Sequence, residues 1–153
     1  LLILAEALYE KNGQITDEQL DLTINDLRNR ANMPRLTNAF VATNGLNMQE
    51  EIRRERTVEL AFEGYRRDDL RRWGTAETVL PLAIRGVKFV GTEYQQKFPE
   101  LVIGQDIQVD SEGFIIAQPA SARKFQTPKH WLSPIPLQQV QLSKGTLEQN
   151  PGW

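Results

Sequence analysis

The residues in this chain whose types and spacing could do chemistry are carboxylates and guanidiniums on one helical stripe. Between Ile52 and Trp73 the sequence reads I-R-R-E-R-T-V-E-L-A-F-E-G-Y-R-R-D-D-L-R-R-W. At helical spacing Ile52, Glu55, Arg56, Glu59, Glu63, Arg66 and Leu70 share a face. Paired acids can flank a scissile glycosidic bond, one of them as a protonated acid. Here each acid has an arginine within one helical turn, and a neighbouring guanidinium favours the ionised carboxylate. The proton donor that hydrolysis needs is therefore missing. Large aliphatic side chains begin and end the stripe, so its charged middle is expected to face protein, where charges must be paired. We assign Glu55, Arg56, Glu59, Glu63 and Arg66 to a structural charge ladder and no residue to catalysis.

The other candidates are sparse. His130 is the one histidine and there are no cysteines, so no transition-metal site, disulfide or thiol nucleophile is expected. His130 has no partner acid or nucleophile in a local arrangement and reads as a packing or surface residue. Asp110 and Glu112 flank a turn whose carboxylates and carbonyls are of the type that binds calcium, but the spacing is not that of an EF-hand, and a plain turn is the simpler reading. Phe89, Tyr94 and Phe98 lie outside any helical stripe. A sugar presents a weakly apolar C–H face, so loop aromatics suit glycan capture, while the same rings also suit sealing a loop onto helices. Tyr94 and Phe89 are carried forward as candidate ligand contacts. Tyr65 and Trp73 are read as core packing.

These residues must be positioned by a mainly helical fold. The chain has 153 residues, 18 basic and 20 acidic, for a formal charge of −2. That balance offers no electrostatic footprint for nucleic acid, and residues 50 to 73 are themselves balanced at seven charges of each sign. The first helix is expected from Leu1 to about Asn12, stopped by Gly13. It is apolar nearly all round (Leu1, Leu2, Ile3, Leu4, Leu8, Tyr9) and so calls for neighbours on more than one side. We expect a preceding segment to cover Leu1, Ile3 and Leu4. Thr16 and Gln19 predict a capping box, and Leu20, Ile24, Leu27 and Ala31 predict a second helix closed by Pro34. Together residues 1–33 form a TPR-like helical pair. Asn38 to Asn47 is expected to be loop, and 48–74 one long charged helix. Within it Gly64 costs about 1 kcal/mol relative to alanine, which suggests close approach of another backbone.

From 75 to 130 glycines and prolines punctuate short apolar stretches, predicting a loop-rich lobe. Its clearest element is a small β-hairpin: Ile107–Val109, a turn at Asp110–Gly113, then Phe114–Ile116. Residues 131–153 form a terminal segment in which Pro134 and Pro136 force extended backbone.

The string I-x-x-E-R-x-x-E-L-x-x-E-G-x-R-x-x-D-L-x-R-W-G, from Ile52 to Gly74, resembles the C-terminal signature of the SusD/RagB-like outer-membrane nutrient-binding lipoproteins. Leu2 to Leu8, followed by I-N-D-L-R-N-R-A from Ile24 to Ala31, is similar to that family's A-E-A and I-N-x-x-R-x-R-A helices. W-L-S-P-I-P from Trp131 and Q-N-P-G-W from Gln149 resemble its terminus, although Ser133 stands where an aromatic is frequent. The resemblance covers the chain in order and implies the C-terminal portion of a single SusD-like domain. It implies a passive receptor that needs no cofactor, captures an oligosaccharide at the cell surface and delivers it to a SusC-like TonB-dependent transporter. It further implies attachment to the outer membrane through a lipid anchor outside this sequence. Two alternatives are a peptide-binding member of the same family and a helical scaffold that docks a protein partner.

Overall fold

A computed structural model describes all residues from Leu1 to Trp153. It contains nine α-helices and one two-stranded antiparallel sheet, so the mainly helical expectation holds. The chain divides into two compact units, Leu1–Arg66 and Arg67–Trp153.

The first unit holds five helices: α1 (Leu2–Asn12), α2 (Asp17–Asp21), α3 (Ile24–Arg30), α4 (Asn38–Thr43) and α5 (Met48–Glu59). Gly13 ends α1 in the left-handed region at φ 69°, its N–H donating to the Tyr9 carbonyl, as a glycine stop requires. The predicted capping box is present: Gln19 N–H donates to the Thr16 hydroxyl at 3.2 Å, and Thr16 N–H to the Gln19 side-chain oxygen at 3.0 Å. The single second helix that was expected is instead two. Thr23 leaves helical geometry at φ −132°, ψ −91°, and its hydroxyl bonds the Gln19 carbonyl at 2.6 Å. A threonine side chain competing for backbone partners in this way interrupts a helix. The TPR-like pairing changes with it, since α1 packs chiefly on α5 while α2 and α3 pack on each other.

The expected loop at 38–47 also contains a helix. Thr37 caps α4 by accepting from Phe40 N–H at 3.0 Å, and Asn47 caps α5 by accepting from Glu50 N–H at 3.1 Å, both standard N-cap chemistry. Leu2, Ala5, Ile15, Leu20, Ile24, Leu36, Val41, Met48 and Ile52 form the core of this unit. Leu1, Ile3 and Leu4 remain exposed.

The long charged helix predicted over 48–74 is not continuous. Helix α5 stops at Glu59, and α6 (Arg66–Arg72) begins after a break. Within the break Phe62 and Gly64 have φ of 66° and 85°, left-handed values that no continuing right-handed helix accommodates. Gly64 therefore serves its own backbone conformation. A Cβ placed there would meet nothing within 4 Å, which overturns the close approach expected from the sequence.

The second unit contains α6, α7 (Ala76–Val79), β1 (Ile84–Lys88), α8 (Glu93–Lys97), β2 (Phe114–Gln118) and α9 (Leu137–Leu142). Its buried apolar residues are few: Leu70, Ala76 and Phe89. Strand β1 pairs antiparallel with β2 in the register Ile84↔Gln118, Arg85↔Ile116 and Lys88↔Phe114. The sequence reading found β2 and its turn but missed β1, whose I-R-G-V-K carries a glycine and little alternation. The predicted hairpin survives as bonds rather than as a strand pair. Ile116 N–H donates to the Gln108 carbonyl at 2.8 Å, Asp110 N–H to the Phe114 carbonyl at 2.9 Å, and Val109 bridges Ile115. Gly113 closes the turn at φ +86°, and a Cβ there would lie 2.8 Å from the Val90 Cβ, so only glycine fits.

Candidate ligand-binding surface

Two acids of the charge ladder are paired, with partners the helical stripe did not contain. Glu55 on α5 receives the Arg28 Nε–H of α3 at 2.9 Å, with side-chain exposures of 18% and 9% respectively. Arg28 also donates from Nη1 to the Pro34 carbonyl at 3.1 Å. Glu59 pairs with Arg30 at 2.6 Å, in a more exposed setting. The R-x-R of α3 thus meets the E-x-x-x-E of α5, joining two of the quoted motifs. Arg56 is buried and lies over the Tyr65 ring at 5.8 Å from its centroid. Glu63 and Arg66 are exposed, and Arg66 donates to the Thr57 hydroxyl at 2.7 Å. The expected internal ladder is therefore partly corrected: its α5 members are buried or half-buried, whereas Glu63 and Arg66 sit at or beyond the helix break. Tyr65, expected in the core, is exposed at 49%.

Within the loop-rich lobe the two candidate aromatic contacts separate. Phe89 is only 2% exposed and serves packing, which removes it as a surface for ligand. Its N–H donates to the Gly113 carbonyl at 2.8 Å, tying the end of β1 to the hairpin turn. Tyr94 and Phe98 are exposed at 42% and 45%. Tyr94 lies on α8 with the Lys97 ammonium 5.9 Å from its ring centroid, and Lys97 is in turn paired with Glu93 at 3.1 Å. These rings are of the kind a sugar face stacks on.

The Asp110 turn is occupied by an arginine. Arg85 contacts Asp110 Oδ2 at 2.6 Å and Glu112 Oε1 at 2.9 Å, while Asp110 Oδ1 accepts from Glu112 and Phe114 N–H groups. Burial pushes the Asp110 carboxyl up, but those backbone donors and Arg85 outweigh it and hold the group below its ordinary range. The acids of this turn thus have a resident cation in Arg85, consistent with a plain structural turn.

The terminal segment folds back on itself. Gln149 accepts the Ile135 N–H and donates to the Ile135 carbonyl, each at 2.8 Å, and the Asn150 amide donates to the Ser133 carbonyl at 2.6 Å. The Trp153 indole N–H reaches the Lys129 and Leu132 carbonyls, with the Lys129 ammonium 4.3 Å from the ring centroid. Gly152 is required there, since a Cβ would stand 2.9 Å from the Lys129 Cβ. His130 packs edge-on to Phe125 at 5.5 Å between centroids, and its Nδ1 accepts from Gln126 N–H at 3.0 Å. Of the packing and surface roles read from the sequence, both contacts fit the first.

The motifs that carried the resemblance are joined to neighbouring backbone and side chains by these contacts, and comparison with known proteins supplies the family. The model of the SusD family matches residues 1–153. The chain belongs to the SusD family. No curated protein and no solved structure shows a significant match to it. SusD family members are binding proteins rather than enzymes, and membership implies nutrient or glycan binding in association with a SusC-like transporter. The SusD family is typically a surface-exposed lipoprotein of the outer membrane.

The sequence reading missed one constellation. Arg67, Arg123 and Lys124 border a common cavity in the second unit. They lie more than fifty positions apart in part, and no motif links them.

Proposed function

We propose that this protein captures an oligosaccharide at the cell surface and passes it to a SusC-like TonB-dependent transporter, making and breaking no bond. The observation that carries this reading is the SusD family match over residues 1–153. The exposed Tyr94 and Phe98 in the loop-rich lobe support it, because they offer aromatic faces outside the core. The acids of α5 support it too: Glu55 and Glu59 are held by Arg28 and Arg30, a pairing that suits architecture and not proton transfer. Affinity would come from stacking and from hydrogen bonds to sugar hydroxyls. The protein would be held at the outer membrane by a lipid anchor beyond these residues.

The test is calorimetry of the whole protein against starch, xylan, levan, host glycans and peptide mixtures. Saturable heats with a glycan are expected. Heats with peptides alone would make it a peptide receptor, and measurable hydrolysis of any glycan would make it an enzyme; either result overturns the proposal.

A further inference from the structure

The second unit carries a cavity of about 360 Å³ with an unbalanced charge. Arg67, Arg123 and Lys124 line it together with Gln118, Phe125 and His130, and no aspartate or glutamate does. Its size lies within the range of about 300–1,000 Å³ common for small-molecule sites. In a chain with a formal charge of −2, three cations converging without an acid need an explanation. The nearest acids in sequence are engaged elsewhere. Asp68 and Asp69 follow Arg67 on α6, but they are directed to Arg71 at 3.9 Å and Arg72 at 2.9 Å.

The three cations are not equivalent. Arg123 is oriented by the fold: its Nε donates to the Leu80 carbonyl and its Nη1 to the Gln118 side-chain oxygen, each at 2.9 Å. Both acceptors are neutral, so the guanidinium is fixed in place with its charge uncompensated. Arg67 and Lys124 are exposed and bring two further charges to the same opening. One wall is Phe125, held by edge-to-face contacts to His130 and to Trp131, the latter with ring centroids 5.0 Å apart. Because His130 Nδ1 accepts from Gln126 N–H, its neutral imidazole carries the proton on Nε2 and is a donor. A pre-oriented guanidinium, two further cations, neutral hydrogen-bonding groups and an aromatic wall describe a receptor for a sugar bearing an anion. Guanidinium forks match carboxylate and sulfate oxygens, and the strength of such contacts exceeds that of neutral ones.

We propose that this cavity binds the anionic group of an acidic oligosaccharide, a uronate carboxylate or a sulfate ester. The proposal rests on the glycan-capture reading and narrows its ligand class. The experiment is calorimetry of the whole protein with oligogalacturonate, chondroitin sulfate oligosaccharide and neutral xylo-oligosaccharide. It is repeated in added salt and with the double variant Arg67→Gln/Lys124→Gln. Both replaced side chains are exposed, so the melting temperature is expected to stay unchanged; Arg123 is left intact because it ties Leu80 to Gln118.

Saturable binding of an acidic oligosaccharide, weakened at least tenfold by the double variant and by salt, is the expected result. Oligogalacturonate carries carboxylates alone, whereas chondroitin sulfate carries both uronate carboxylates and sulfate esters, so binding of the second without the first assigns the site to the sulfate. Binding of xylo-oligosaccharide with none of the acidic ligands overturns this proposal and leaves glycan capture standing. Acidic binding that the double variant retains in full overturns the placement of the site. Binding of no carbohydrate overturns both readings.

Discussion

The side-chain amide of Asn25 takes both backbone hydrogen bonds of Leu36. Its oxygen accepts the Leu36 N–H at 2.7 Å and its nitrogen donates to the Leu36 carbonyl at 2.9 Å. Asn25 is 4% exposed and Leu36 fully buried, so neither backbone group has water as an alternative. Gln149 does the same for Ile135 at the other end of the chain. Both amides belong to segments that resemble family motifs, and both hold irregular backbone, two residues after Pro34 in one case and between Pro134 and Pro136 in the other.

Replacing Asn25 by alanine leaves two buried backbone groups unpartnered. Each orphan costs about 1–3 kcal/mol, so Asn25→Ala is expected to destabilise the protein by roughly 3 kcal/mol in chemical denaturation. Gln149→Ala, at a half-buried site, should lose about 1 kcal/mol. Equal losses below about 0.5 kcal/mol would mean that water replaces the amides freely.

The two arginines of α3 should differ sharply. Arg28 and Glu55 are both largely buried, so Arg28→Ala strands an interior carboxylate and the Pro34 carbonyl, at about 3 kcal/mol. Arg30 is 67% exposed in its pair with Glu59, and Arg30→Ala should change stability by about 0.5 kcal/mol or less. A double-mutant cycle of Arg28 with Glu55 checks the coupling directly. Loss of the same size at both arginines would contradict the burial difference.

Phe89 and Tyr94 offer a clean separation of packing from capture. Phe89→Ala removes a buried ring and should cost about 3–5 kcal/mol, seen as a lower melting temperature. Tyr94→Ala should leave melting unchanged and weaken glycan binding several-fold in calorimetry. If Tyr94→Ala melts early and binds normally, its ring belongs to the fold.

The Asp110 turn predicts an acid limit. A carboxyl held below its ordinary value of 3.8 contributes stability that is fully present above the unfolded value and is lost as pH falls through the lower folded one. The Asp110 side chain should therefore titrate by NMR below pH 3.8, and amide protection at Glu112 and Phe114 should fall in that same acidic window. Asp110→Asn should abolish the window. A midpoint at or above the ordinary value would show that Arg85 and the turn N–H groups do not hold this carboxylate.

What could be read from the sequence was what depends on near neighbours. The Thr16–Gln19 capping box, the Gly13 stop and the turn at Asp110–Gly113 each rest on contacts within about four residues, and all are present. The failures share a cause as well. A period of 3.6 runs through Thr23 and through Phe62–Gly64, but local backbone geometry breaks the helix at both points. Strand β1 was hidden because its partner lies some thirty residues on. The ladder's acids were recognisable, whereas their partners Arg28 and Arg30 come from another helix. The cationic cavity was the least legible feature, since folding alone brings Arg67 beside Arg123 and Lys124.

Fastening loops with amides has a chemical corollary. Amides are neutral at every pH the protein meets, yet Asn and Gln are among the thermolabile side chains. Loss of ammonia from Asn25 would turn a donor into a negative oxygen facing the Leu36 carbonyl. Ageing of that one amide would therefore loosen the backbone at Leu36 while leaving the rest of the sequence unaltered.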